Sequence, residues 1–181
     1  MKAIIKILVL SCVILFFNTN CKAQTYPKPG DHFYDNGVDK FVGTWLWIDG
    51  NNSFKITLKK EHVSFMPLTK VDIYSDVLYG FHKMIKNSIV EESSLDFSNT
   101  TFQDKKWTIL TSSDDEKPNI LRGTIRHLSK NKSVVLIIEY IDANHIKIIS
   151  IKNSEGVKFS TPDNPYDSSI SLPENIILTR Q

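Results

Sequence analysis

After residue 40 the chain alternates apolar and polar positions with a period of two, the repeat of an extended strand. Phe54, Ile56 and Leu58 interleave with Lys55, Thr57 and Lys59, which predicts a strand with one buried face and one wet face. The aromatic and β-branched run Thr44–Ile48 precedes it, and Asp49-Gly50 between the two runs predicts a hairpin. Val77, Tyr79 and Phe81 carry the same alternation through residues 76–87, with Gly80 expected at a bulge or bend. Trp107, Ile109 and Thr111 continue it. Leu121, Gly123 and Ile125 mark one face of a strand over 120–127. Residues 133–141 are apolar on both faces, as in a central strand. Asp142-Ala143-Asn144 then turns the chain into a strand over 145–152, and Ile176–Arg180 closes it. No stretch of ten residues in this region has a clear 3.6-residue apolar period. Many short strands joined by turns predict an all-β sandwich or barrel.

The N-terminus follows a different pattern. Lys2 and Lys6 precede the apolar run Ile7–Phe17, eleven residues long. A spanning helix needs about 20 apolar residues, so this run matches the core of a secretory signal. Two processing routes follow. Cys21 stands where a bacterial lipoprotein signal places its acylated cysteine, although Asn18 and Asn20 replace the usual aliphatic and small residues. Cleavage after Ala23 is the other route. The favoured organisation is a signal over 1–20, a tether over 21–40 punctuated by Pro27, Pro29, Gly30 and Gly37, and one β domain over 41–181. Tyr26, Phe33 and Tyr34 in the tether predict either a partner-binding segment or a partly docked N-terminus.

Composition then narrows the function classes. The 181 residues are 41% hydrophobic and 23% charged, as in one folded domain. The formal charge of +2 comes from 22 basic and 20 acidic residues, and Lys2 and Lys6 belong to the signal. A chain starting at Cys21 is therefore balanced at 20 of each, which excludes a strongly basic nucleic-acid binder. Loss of Cys12 with the signal leaves no partner for an intramolecular disulfide.

Candidate chemistry is sparse. The sequence contains no Gly-x-Ser-x-Gly elbow, no His-Glu-x-x-His and no P-loop. His32, His62, His82, His127 and His145 are too far apart in sequence to form a local metal pair. Glu91 and Glu92 are strand neighbours and point to opposite faces. Asp114-Asp115-Glu116 and Asp142-Ala143-Asn144 are turn chemistry, and Lys105 and Lys106 cover the edge of Trp107. The expectation is a non-catalytic protein without cofactor or metal.

Phe41-Val42-Gly43-Thr44-Trp45 resembles the opening of a lipocalin-like (calycin) barrel, whose first strand begins Gly-x-Trp. The resemblance implies that Gly43 and Trp45 form the barrel floor, that Arg180 of the last strand packs over Trp45, and that the first and last strands pair. It implies an antiparallel barrel or strongly curved meander sheet, and a binding module for a small apolar ligand in the barrel mouth. Over the whole chain, residues 20–24 (Asn-Cys-Lys-Ala-Gln), the Phe-x-Gly-Thr-Trp opening, the Gly-centred middle strand and Pro173-Glu174-Asn175-x-x-Leu178-Thr179-Arg180 resemble small bacterial lipoproteins and secreted proteins of unknown function. That likeness implies no activity. The alternative function is a protein–protein interaction or structural lipoprotein with a solid core. Either form would sit in the cell envelope, held at a membrane by acylated Cys21, or be secreted.

Overall fold

In the computed structural model, which describes residues 27–65, 72–114, 116–156 and 165–181, eight antiparallel strands close into a barrel. The wall runs in chain order. β2 (Gly43–Asp49), β3 (Asn52–Phe65) and β4 (Ile73–Lys86) form a meander. β6 (Ile109–Asp114), β7 (Lys117–His127), β8 (Lys132–Asp142) and β9 (His145–Asn153) continue it, and β10 (Ile176–Arg180) returns to β2. Thr179 pairs with Leu46 and Arg180 with Trp45, and β4 pairs with β6, so no edge of the eight-stranded wall is left open along its whole length. Two short strands lie off the ring and both pair with β4: β1 (His32–Phe33) runs parallel to it, and β5 (Ile89–Ser93) antiparallel. Four short 3₁₀ helices are the only helical pieces among the described residues.

Alternation supplies the interior. Phe54, Ile56 and Leu58 of β3 face Val134, Leu136 and Ile138 of β8 across a single core, with Trp45, Ile125, Ile148 and Leu178 around them. These side chains are 0–1% exposed, so essentially no water-sized space adjoins them. The barrel is filled. The outer face of β8 is only half-buried at Val135 and Ile137, because a barrel has one interior layer. A second, smaller core lies outside β4. There Tyr79 and Phe81, both 0% exposed, are covered by the chain between β5 and β6, with Phe102 stacked on Trp107 at 5.5 Å.

The folded body begins before residue 41. Residues 32–40, read from sequence as part of the tether, supply β1 and, with Phe41, a 3₁₀ helix over Asn36–Phe41 that buries Val38 and Phe41. Asp35 caps that helix by accepting from the Gly37 N–H. Gly80 is not a bulge, since the β3–β4 register runs through it unbroken. A Cβ there would lie 2.5 Å from the Thr57 carbonyl oxygen. The position needs glycine because two strands approach closely, and the bulge of β4 falls between Met84 and Ile85.

Candidate functional site

One end of the barrel is closed by the residues that the Gly-x-Trp opening singled out. Gly43 has φ +137°, and an added Cβ would stand 2.6 Å from Arg180 Nη1. The guanidinium of Arg180 lies 4.1 Å from the centroid of a Trp45 ring, a cation–π contact worth roughly 0.5–2 kcal/mol. It donates from Nε to the Ala143 carbonyl, from Nη1 to Val42 and from Nη2 to Lys40, at 2.8, 2.8 and 2.9 Å. Trp45 Nε1 donates to the Phe41 carbonyl at 2.8 Å. Gly43, Trp45 and Arg180 thus meet at the floor as a plug in which each guanidinium nitrogen donates to a backbone carbonyl and the indole N–H is spent on Phe41. Cys21 and Tyr26 lie outside the described residues. Phe33 and Tyr34 are 45% and 67% exposed.

At the opposite end, histidines far apart in sequence converge on one carboxylate. β5 replaces β6 as the neighbour of β4 here, and it places Glu92 inward beside Met84. Glu92 Oε1 accepts from His82 Nε2 at 2.7 Å, and Oε2 accepts from His127 Nδ1 and the Ser129 N–H, both at 2.9 Å. Ser171 N–H donates to His127 Nε2 at 3.1 Å. A backbone N–H can only donate, so that nitrogen carries no proton and His127 is the neutral Nδ1–H tautomer. His82 Nδ1 meets Thr108 Oγ1 at 2.8 Å, and Thr108 meets Ser94 at 2.8 Å. Burial pushes the Glu92 carboxyl up, but the His82 bond, the Ser129 bonds and the charge of His82 outweigh it and hold it at about 2. Both imidazoles are 0% exposed. His127 contributes to the wall of a depression of about 210 Å³ at the β7–β8 hairpin, yet its ring is closed off from it. Over this end runs the chain leading into β10. Leu172 is inserted into the core, and Glu174 accepts from the Ile151 N–H at 3.2 Å.

A second pair converges beyond the floor. His62 Nε2 lies 2.9 Å from His32 Nδ1, and His62 Nδ1 donates to Asp76 at 2.7 Å, with Tyr34 and Tyr74 stacked on the rings. Asp76 also accepts from Lys60 at 3.0 Å and from the Asp35 N–H at 3.0 Å. Among the described residues no three His, Cys, Asp or Glu side chains are grouped to hold a metal. No described helix is long and apolar enough to cross a membrane.

A concavity of about 400 Å³ lies on the outer wall. β4 and β6 pair only from Leu78–Thr111 to Gly80–Ile109, although both strands run on towards the floor. Asp35 wedges them apart. Its N–H bonds Asp76, and its carboxylate accepts from Ser113 Oγ at 2.5 Å. Outward-facing Val77 and Leu110 wall the resulting groove, with Ser75, Ser112, Arg122 and Thr124 at its rim. Arg122 Nε donates to Asp114 at 2.8 Å, and this bond holds the Asp114 carboxyl below its ordinary range. Arg122 Nη1 and Nη2 make no hydrogen bond among the described residues.

The wedge and the histidine clasp were invisible to spacing, because His127 lies 35 residues from Glu92 and Ser113 lies 78 from Asp35, and they meet only through the barrel's topology. A model of a family of unknown function matches residues 1–181. No curated protein and no solved structure matches the chain.

Proposed function

The chain belongs to the family of unknown function DUF6705, and on the geometry of its barrel we propose that it is a non-catalytic binding module of the bacterial cell envelope. It is held at a membrane by acylated Cys21 and works with its outer surface. The observation that carries this reading is the filled interior, where Trp45, Phe54, Leu136 and Ile138 occupy the space that a ligand-carrying barrel leaves empty. The small apolar ligand that the lipocalin-like resemblance implied for the barrel mouth is disfavoured, because Leu172 and Ile170 already pack there against the core. The clustered histidines do not argue for catalysis. Acid–base work requires a group that reaches substrate, and His82 and His127 are sealed beneath Ser171, Ser129 and Thr108.

Exposed apolar side chains support an outer working surface. Tyr34, Ile48, Ile89 and Val90 are 50–71% exposed. A photo-crosslinking residue at Ile89 or Tyr34, in cells carrying the full chain, should capture a discrete envelope partner, and one at Met84 should not. Capture from neither exposed site, or equal capture from all three, would contradict the reading.

A further inference from the structure

We propose that the outer groove between β4 and β6 is a binding site for a small organic monoanion, an apolar body carrying one carboxylate, with Arg122 as its head-group anchor. This goes beyond a partner-binding outer surface, because it assigns a small-molecule site.

Three observations carry the inference. The groove is built rather than incidental. Asp35 reaches across from the N-terminal segment, takes Ser113 with one carboxylate oxygen and the Gly37 N–H with the other, and bonds Asp76 through its own N–H. The parting of β4 from β6 is therefore fixed by four groups that satisfy one another. The volume of about 400 Å³ lies within the range of small-ligand clefts. Its walls, Val77, Leu110 and the Thr124 methyl, offer an apolar body a place to leave water.

Charge then selects the head group. Among the described residues Arg122 is the one cation lining the groove. Asp114 takes only Nε, so the terminal edge of the fork keeps Nη1 and Nη2 for two parallel bonds to one carboxylate. Asp76 lines the groove, but its carboxylate is 2% exposed and spent on Lys60, His62 and the Asp35 N–H. It therefore presents no opposing charge. A single fork already shared with Asp114 suits a monoanion better than a phosphate dianion. Ser75 and Ser112 add hydroxyls at the rim.

Titrating the full chain with 4-phenylbutyrate and with the neutral 4-phenylbutan-1-ol, by calorimetry at pH 7, tests the assignment. The acid should bind one to one and at least tenfold more tightly than the alcohol. Arg122→Gln should remove that preference while leaving the residual affinity for the alcohol, and Val77→Trp, which fills the groove, should abolish binding of both. Both side chains face outward, so an unchanged thermal midpoint certifies each fold. No binding of the acid, equal binding of acid and alcohol, or acid binding unchanged in both variants would overturn the proposal. So would a concentration-dependent dimer that Val77→Trp disrupts, since that would give the groove to a second copy. None of these outcomes touches the crosslinking result at Ile89 or Tyr34, so the two readings fail separately.

Discussion

Thr111 Oγ1 is the one buried side-chain polar atom without a hydrogen-bond partner among the described residues. Thr111 sits where β4 and β6 begin to part, and its Cγ2 lies 2.8 Å from where a Cβ on Gly123 would stand. An unsatisfied buried hydroxyl costs about 1–3 kcal/mol. Thr111→Val keeps the shape and removes the oxygen, so it should raise stability by about 1 kcal/mol in urea unfolding. A loss of stability would mean that the hydroxyl has a partner. Some residue roles were legible in sequence and others were not. Gly43, Trp45 and Arg180 are legible only through the resemblance of the opening to a lipocalin-like barrel, and they meet because β10 pairs with β2. Gly80 was placed in the right strand for the wrong reason, because close approach of a neighbouring backbone leaves no mark on the alternation.

At the scale of elements, the eight wall strands were readable because most alternate buried and wetter faces, and the strand over 132–142 is a long β-branched run between turns. β5 was not. Ile89 and Val90 are exposed, and its one buried side chain before Ser94 is a carboxylate. β5 reaches no backbone partner on β7, and Glu92 spans that seam through His127 and Ser129. The clasp should make stability depend on pH. The Glu92 carboxyl titrates near 2 in the folded chain, against about 4.5 when unfolded. The clasp is therefore complete above about pH 4.5 and is lost as pH falls through about 2. The stability advantage of the wild type over Glu92→Gln should shrink by up to about 3 kcal/mol between pH 6 and pH 2. Urea midpoints at several pH values would show it, and a constant difference would contradict the clasp.

For the molecule as a whole, alternation announced an all-β sandwich or barrel and the resemblance a barrel or curved sheet, but neither announced whether it was hollow. Strand periodicity specifies which side chains point inward, whereas filling depends on their summed volume and on what crosses the ends. Here the 3₁₀ helix with Phe41 plugs one end, and Leu172 enters the other. The central claim is that the barrel interior is occupied by its own side chains and that binding happens outside. Dry apolar cavities take up xenon, so a crystal structure under xenon pressure is the most direct measurement. No xenon atom should appear among Trp45, Phe54, Leu136 and Ile138. An ordered xenon there would show a cavity within the barrel and would contradict the account.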